Sequence, residues 1–320
     1  MNNDARIALL CGGVGGAKLA LGLARVHAPS CLTIVVNTAD DFEHLGLHIS
    51  PDIDTVTYTL AGLANPSTGW GQANETWECM ATLDLLGGET WFRLGDRDLA
   101  THLQRTSLLN AGMSLTDATA CIARRLGVGA TVLPMTDSFV RTELVTDAGT
   151  LAFQHYFVKQ QCIPEVRSIQ FRGYEDAPPT TQVLEALSDK SDVIIIAPSN
   201  PFLSIDPILA LPGVRDALRS ATAPVVAVSP IIGAAAFKGP TTKLMIELGI
   251  PTNAFELANY YCDIIDHYVI DTEDASIVTK IQELGISVET SAIRMDDDLS
   301  KERLARCVLN SALAKRKRMR

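Results

Sequence analysis

The chain opens with short apolar runs set between glycine-bearing polar loops. Residues 7 to 11 are wholly apolar and end on Gly12-Gly13-Val14-Gly15-Gly16. Residues 17–25 then carry Leu19 and Leu23 at helical spacing, with Val26 just beyond, and 32–36 form a second, partly β-branched run. Strand, glycine loop, helix, strand is a βαβ unit, which predicts a parallel sheet covered on both faces. The pattern turns helical from 52 to about 130, with helices predicted over 54–63, 74–86, 99–109 and 114–126. Ser114 is placed to cap the last of these, with Asp117 at capping-box spacing. Short strands are predicted over 131–134, 141–145, 151–157 and 167–171, with Asp147-Ala148-Gly149 as a turn. The βα rhythm then resumes, with strands at 192–197, 225–228, 267–270 and 286–289 and helices at 241–248 and 301–314. The pattern predicts one doubly wound, Rossmann-like α/β domain over 1–320 with a mostly parallel sheet. It carries a helical insertion at 66–130 and a β-rich insertion at 131–175.

Composition narrows the function. Of the 320 residues, 47% are hydrophobic and 20% charged, which suits a globular chain and excludes disorder over most of its length. The net charge of −10 argues against general nucleic-acid binding, which draws on phosphate attraction. The basic run Lys315, Arg316, Lys317, Arg318 and Arg320 reads as a solvated tail. No apolar stretch approaches the roughly 18 residues of a membrane span, and the first residues show no basic leader, so a cytoplasmic protein is expected. The seven cysteines are odd in number and form no C-x-x-C pair, which speaks against a disulfide framework and against structural zinc.

Four clusters fall where strands end, the place where open α/β sheets bind ligands. Gly12, Gly13, Gly15 and Gly16, with Lys18, form a loop that lets backbone approach a phosphate at a helix N-terminus; a tight turn without ligand is the plainer alternative. Asp40 and Asp41 close one loop, and Asp52 and Asp54 follow Pro51. Such crowding of carboxylates is costly unless a cation or a substrate donor neutralises it, and oxygen ligands suit magnesium. Helix capping by Asp52 or Asp54 is the competing account. His44 and His48, four apart, would share a helix face, but no third ligand stands at zinc spacing and Gly46 weakens such a helix. Arg93-Leu94-Gly95-Asp96-Arg97-Asp98 offers planar guanidinium forks for a phosphate or acid, or else a surface ion-pair network. Ser199 and Asn200 in Ala197-Pro198-Ser199-Asn200-Pro201, the Pro134-Met135-Thr136-Asp137 loop, and Ser229-Pro230 with Lys238 occupy similar post-strand positions.

Together these segments resemble the 2-phospho-L-lactate transferases of coenzyme F-420 biosynthesis. The matching stretches are GGVGGAK at 12–18, NTADD at 37–41, SPDIDT at 50–55, RLGDRD at 93–98, PMTD at 134–137, APSNP at 197–201 and SPIIG at 229–233, in family order along nearly the whole chain. The resemblance implies a magnesium-dependent transfer of a phosphorylated acid from a guanosine diphosphate-linked donor to the ribityl hydroxyl of a deazaflavin, with release of GMP. The acid is lactyl, enolpyruvyl or glyceryl. The resemblance further implies Asp54 and Arg93 as deazaflavin contacts, with Asp54 catalytic. The glycine loop with Lys18, Ser199 and Asn200 would hold the nucleotide, Asp40, Asp41 and Asp52 the metal, and the assembly would be a homodimer. Removing the Asp54 carboxylate is expected to stop transfer without disturbing the fold. Gly16-Ala17 and Ala234-Ala235-Ala236-Phe237 depart from the archaeal pattern and bear on the donor.

Two rivals fit less well. Related nucleotide-sugar-binding regulators share the glycine loop but would carry Asp-Ile-Arg where this chain has Asp52-Ile53-Asp54. A nicotinamide dehydrogenase would need G-x-G-x-x-G and an acidic residue closing the second strand, where Asn37 stands instead.

Overall fold

The computed structural model describes residues 4–188, 190–233, 235–236 and 240–316. Ala234, Phe237, Lys238 and the tail residues Lys317, Arg318 and Arg320 lie outside the described residues.

The chain begins β1 (Ile7–Cys11), α1 (Gly13–Val26), β2 (Leu32–Val36). A tight hairpin of β3 (Phe42–His44) and β4 (Leu47–Ile49) leads into α2 (Pro51–Leu60). Helix α2 starts at Pro51, earlier than expected, because proline's fixed φ and missing N–H suit a first helical position. Three helices follow: α3 (Glu78–Leu85), α4 (Asp96–Asn110) and α5 (Leu115–Arg125). Ser114 caps α5 by accepting from the Asp117 amide, as its spacing predicts.

Strand β5 (Thr131–Pro134) corrects the sequence reading, which grouped it with the short strands after it. It pairs in parallel with β2 at the edge of the main sheet. Its four residues are too few for periodicity to tell a sheet edge from a hairpin strand. The antiparallel insertion is β6 (Arg141–Thr146), β7 (Gly149–Ala152) and β8 (Val166–Arg172), in the order β7-β6-β8. The strand expected through 157 stops at Ala152, and a helical turn over His155–Lys159 buries Tyr156 beneath it.

The second half supplies α6 (Thr181–Ala186), β9 (Val193–Ile196), α7 (Asp206–Ala210), α8 (Val214–Ser220) and β10 (Val225–Val228). The two-residue strands β11 (Ile231–Ile232) and β12 (Ala235–Ala236) precede α9 (Thr241–Glu247) and α10 (Ala254–Tyr260). The described chain ends with β13 (His267–Ile270), α11 (Val278–Gln282), β14 (Ser287–Thr290) and α12 (Asp298–Arg316).

Seven strands form one parallel sheet in the order β14-β13-β10-β9-β1-β2-β5. Alternate residues of β1 enter opposite cores. Ala8 and Leu10 join the core under the antiparallel insertion and α7–α10, whereas Ile7, Leu9 and Cys11 join the core under α1, α2 and α12. Burial on both faces explains why these strands read as unbroken apolar runs. The chain leaves β1 toward β2 on one side and returns through β9 on the other. The carboxyl ends of β1 and β9 therefore flank a topological switch point, where a crevice opens.

Candidate active site

The loops after β1 and β9 interlock at the switch point. The Ser199 hydroxyl donates to the Gly12 carbonyl (2.8 Å) and accepts from the Gly12 amide (3.2 Å). A Cβ on Gly15 would meet the Pro198 carbonyl oxygen at 2.4 Å, and one on Gly16 would meet Ser199 Oγ at 2.7 Å. These two glycines are required by close approach of the loops. Gly13 differs: its φ is +62° and nothing lies within 4 Å of its missing Cβ, so it faces open space at the start of α1.

The opening is a cavity of about 860 Å³, toward the upper end of ligand sites. Gly12, Gly13, Gly15, Lys18, Ser199 and Asn200 line it, and Gly16 packs behind. Asn200 accepts from the Phe202 and Leu203 amides and so caps the helical turn that begins at Pro201. Its buried amide nitrogen has no hydrogen-bond partner among the described residues. Lys18 donates to the Met295 carbonyl (2.6 Å), drawing the 293–296 segment over the loop as a further wall.

The four predicted carboxylates separate into two groups. Asp40 and Asp52 line the cavity beside the glycine loop. One amide nitrogen, Asn37 Nδ2, donates to Asp40 Oδ2 (3.0 Å) and Asp52 Oδ2 (3.1 Å), and Asp52 Oδ1 accepts from the Gly13 amide (2.9 Å). Asp41 is buried behind them, accepting from Ser50 (2.7 Å) and paired with His48 (3.2 Å). Asp40 Oδ1 and Asp41 Oδ1 have no well-formed hydrogen bond among the described residues. Burial, then the charge of Asp52, pushes the Asp40 carboxyl well above its ordinary range. Burial, with Asp41 adding to it, pushes Asp52 up to about 6, against the pull of Asn37 and Gly13. The antiparallel insertion holds this loop from below: the Thr142 amide donates to Ala39 O (2.8 Å) and Gln154 Nε2 to Asp40 O (3.1 Å). Orphaned carboxylate oxygens held in a buried, mutually repelling set fit a hard divalent cation.

Asp54 belongs elsewhere. Its carboxylate is gripped at both oxygens by the Arg105 guanidinium, one bond being 3.0 Å, and His102 Nδ1 stands 3.6 Å away. His102 Nε2 lies 3.4 Å from Asp98, which accepts from the Tyr58 hydroxyl (2.7 Å). Burial raises the Asp54 carboxyl, while Arg105 and then His102 pull it down. Neither Asp52 nor Asp54 caps α2 through its side chain, which decides against the capping account. Asp54, Asp98 and His102 bring ligand atoms within 4.8 Å of one another. A cation there would face a buried guanidinium already bonded to both Asp54 oxygens, which weighs against that group as a cation site.

Sequence reading missed Arg105, His102 and Tyr58. The spacing Asp98, His102, Arg105 puts all three on one face of α4, a signal that was available in the sequence. Also missed is an aromatic wall of Trp70, Trp91, Phe92, Phe153 and Phe157, drawn from three separated stretches of chain. Arg93 stands at this end of the cavity with its guanidinium 4.4 Å over the Trp77 ring. Its neighbours are structural. Asp96 accepts from the amides of Glu78 and Cys79 at the start of α3, and Glu75 accepts from those of Arg97 and Asp98 at the start of α4. His44 and His48 do not share a helix face. They sit on the β3–β4 hairpin, where His44 pairs with Leu47 and His48 with Glu43, so their side chains leave opposite faces.

Comparison with known proteins gives the family. The family model described as 2-phospho-L-lactate transferase CofD matches residues 7–312. A phosphoenolpyruvate transferase of Kitasatospora aureofaciens is 41% identical over 95% of this chain and 97% of that protein. A 2-phospho-L-lactate transferase of Methanosarcina mazei is 38% identical over 95% of this chain and 99% of that protein. The crystal structure of a UPF0052 family member from Bacillus halodurans has the same fold, with a TM-score of 0.62 at 15% identity over 96% of this chain and 99% of that one. Identity of this extent, over this length, makes the chain a member of the 2-phospho-L-lactate transferase family, the transferases of coenzyme F-420 biosynthesis.

Proposed function

We propose that the protein transfers a phosphorylated small acid from a guanosine diphosphate-linked donor to the ribityl hydroxyl of a deazaflavin, releasing GMP. The observation that carries this reading is a single cavity with two chemically different ends. One end has the N-terminus of α1 beside Asp40 and Asp52, and the other has an aromatic wall with Arg93 and Asp54. The first-turn amides of α1 beyond Gly13, whose own amide is taken by Asp52, suit a diphosphate, and Lys18, Ser199 and Asn200 border the same end. Trp91, Phe92 and Phe157 suit a flat heteroaromatic ring.

In this reaction the hydroxyl oxygen bonds to the phosphorus that carries the acid. The bond from that phosphorus to the GMP oxygen breaks with its electron pair on GMP, and the hydroxyl proton passes to solvent water. Asp54 accepts the hydroxyl's hydrogen bond on a lone pair that Arg105 leaves free and fixes its line of attack. Arg93 binds the acceptor end. Asp40 and Asp52 would hold magnesium, with Asp41 adding negative field. The ion, when bound, neutralises charge on the phosphoryl oxygens and the leaving group. The working assembly is a cytoplasmic homodimer without nucleic-acid or membrane partners. No helix among the described residues is long and apolar enough to cross a membrane.

The test is a mass-spectrometric transfer assay. Protein, magnesium and the deazaflavin alcohol are mixed with each guanylated acid in turn, the enolpyruvyl donor first because the 41% identical relative bears that name. A phosphodiester product with stoichiometric GMP, lost on chelation, is expected from one donor. Folded protein that makes no product from any of the three would refute the reading.

A further inference from the structure

Arg105 is among the largest side chains wholly buried in the protein, at 1% exposure, yet it does not line the cavity. Burying a guanidinium is costly, and an apolar side chain of similar volume usually serves stability as well or better. Its retention calls for another account. Both of its terminal nitrogens are spent on the two oxygens of Asp54, which does reach the cavity. His102, one turn earlier on α4, lies against both members of the pair, 3.3 Å from the guanidinium and 3.6 Å from the carboxylate. A planar fork on a planar carboxylate fixes the carboxylate's rotation as well as its place.

We propose that Arg105, braced by His102, is a positioning residue that sets the orientation of Asp54 toward the acceptor hydroxyl. The inference rests on the transferase reading above. Arg105 touches no substrate; it holds α4 against α2 and leaves Asp54 one usable direction for accepting a hydrogen bond. A lysine in its place keeps the charge but offers a single point contact, so the carboxylate can turn.

The experiment is a double-mutant cycle on the full chain, with Arg105→Lys, Asp54→Asn and the pair. It reads turnover, the KM for each substrate, GDP affinity and Tm. Arg105→Lys is expected to lower kcat about tenfold or more, with GDP affinity unchanged and Tm within a few degrees of the parent. In the Asp54→Asn background the same substitution should change the residual kcat less than about twofold, because the group it acts through is gone. Wild-type turnover in Arg105→Lys would overturn the proposal, as would an equal loss in both backgrounds. Arg105→Met strands a buried carboxylate, so the Asp54→Asn/Arg105→Met pair serves as the charge-free check on stability; a Tm restored in the pair shows that Arg105→Met loses stability through the stranded charge and leaves the Arg105→Lys cycle to decide positioning. If the parent itself makes no product, the transferase reading falls and the proposal with it, a result distinct from an active parent with an indifferent Arg105.

Discussion

Asp52 and Asp54 are two residues apart on the first turn of one helix, and they solve the same electrostatic problem in opposite ways. Asp54 meets a guanidinium supplied by the fold, and its charge is balanced before any ligand arrives. Asp52 meets Asn37, a backbone amide and other carboxylates, none of which carries positive charge. One carboxylate is balanced by α4; the other stands in a set where Asp40 Oδ1 and Asp41 Oδ1 make no well-formed hydrogen bond among the described residues. The difference follows from helix geometry. Positions two apart on a helix diverge, so one side chain faces the glycine loop and the other faces α4.

The contrast can be broken most forcefully at Asp54. Asp54→Ala should reduce transfer by at least about a thousandfold, as loss of a reaction-aligned group does. It should also cost roughly 3–5 kcal/mol of stability, because Arg105 is left buried and unpaired. Urea unfolding beside the transfer assay measures both. The sequence alone led to the expectation that this change would leave the fold intact; the buried arginine adds a stability cost that the sequence did not show. Asp40→Asn tests the opposite case. It should cut magnesium-supported turnover about a hundredfold. In chelator it should raise Tm by roughly 2–4 °C, since a repelled charge is removed. A fall in Tm would mean that Asp40 already has a counter-charge.

The two groups should also separate by pH. Burial holds Asp52 up to about 6 and Asp40 in the same direction, so both carry more protons in the folded protein than free carboxylates do. Cation binding needs them ionised. Magnesium affinity, measured by calorimetry, should therefore weaken as pH falls through 6, about tenfold between pH 8 and pH 5. A flat profile over that range would remove Asp52 from the cation site. The smallest effect is expected at Arg93, which is exposed. Arg93→Ala should weaken deazaflavin binding roughly two- to fivefold, about 0.5–1 kcal/mol, with GDP binding nearly unchanged. Fluorescence titration of the deazaflavin distinguishes that outcome from an equal loss of both ligands.

The parallel sheet was legible because its strands are buried on both faces. Val193–Ile196 and Val225–Val228 are apolar at every position, a pattern that a half-exposed strand cannot sustain. The glycine loop and the post-strand polar segments were legible for the same topological reason. Arg105 was not, because an arginine on an amphipathic helix ordinarily points to water, and only the packing of α4 on α2 shows otherwise. The aromatic wall was out of reach too, since Trp70, Trp91 and Phe157 meet only once the insertions fold over the sheet. Gly16 carries a packing demand that its spacing did not reveal, since its missing Cβ makes room for Cys11 and Ser199.

The interlocked loops at Gly12, Gly15 and Ser199 carry a practical lesson for anyone seeking an inactive control. A side chain added at Gly15 would drive against the Pro198 carbonyl and force apart the ends of the two central strands. Loss of activity in such a protein would report damaged architecture, and could not be scored as lost nucleotide contact. Gly13, whose flank is open, is likewise unsuited because its backbone angle resists any other residue. A trustworthy inactive control is better made at Asp40, where an amide removes a repelled charge, than at Asp54 or at the glycines.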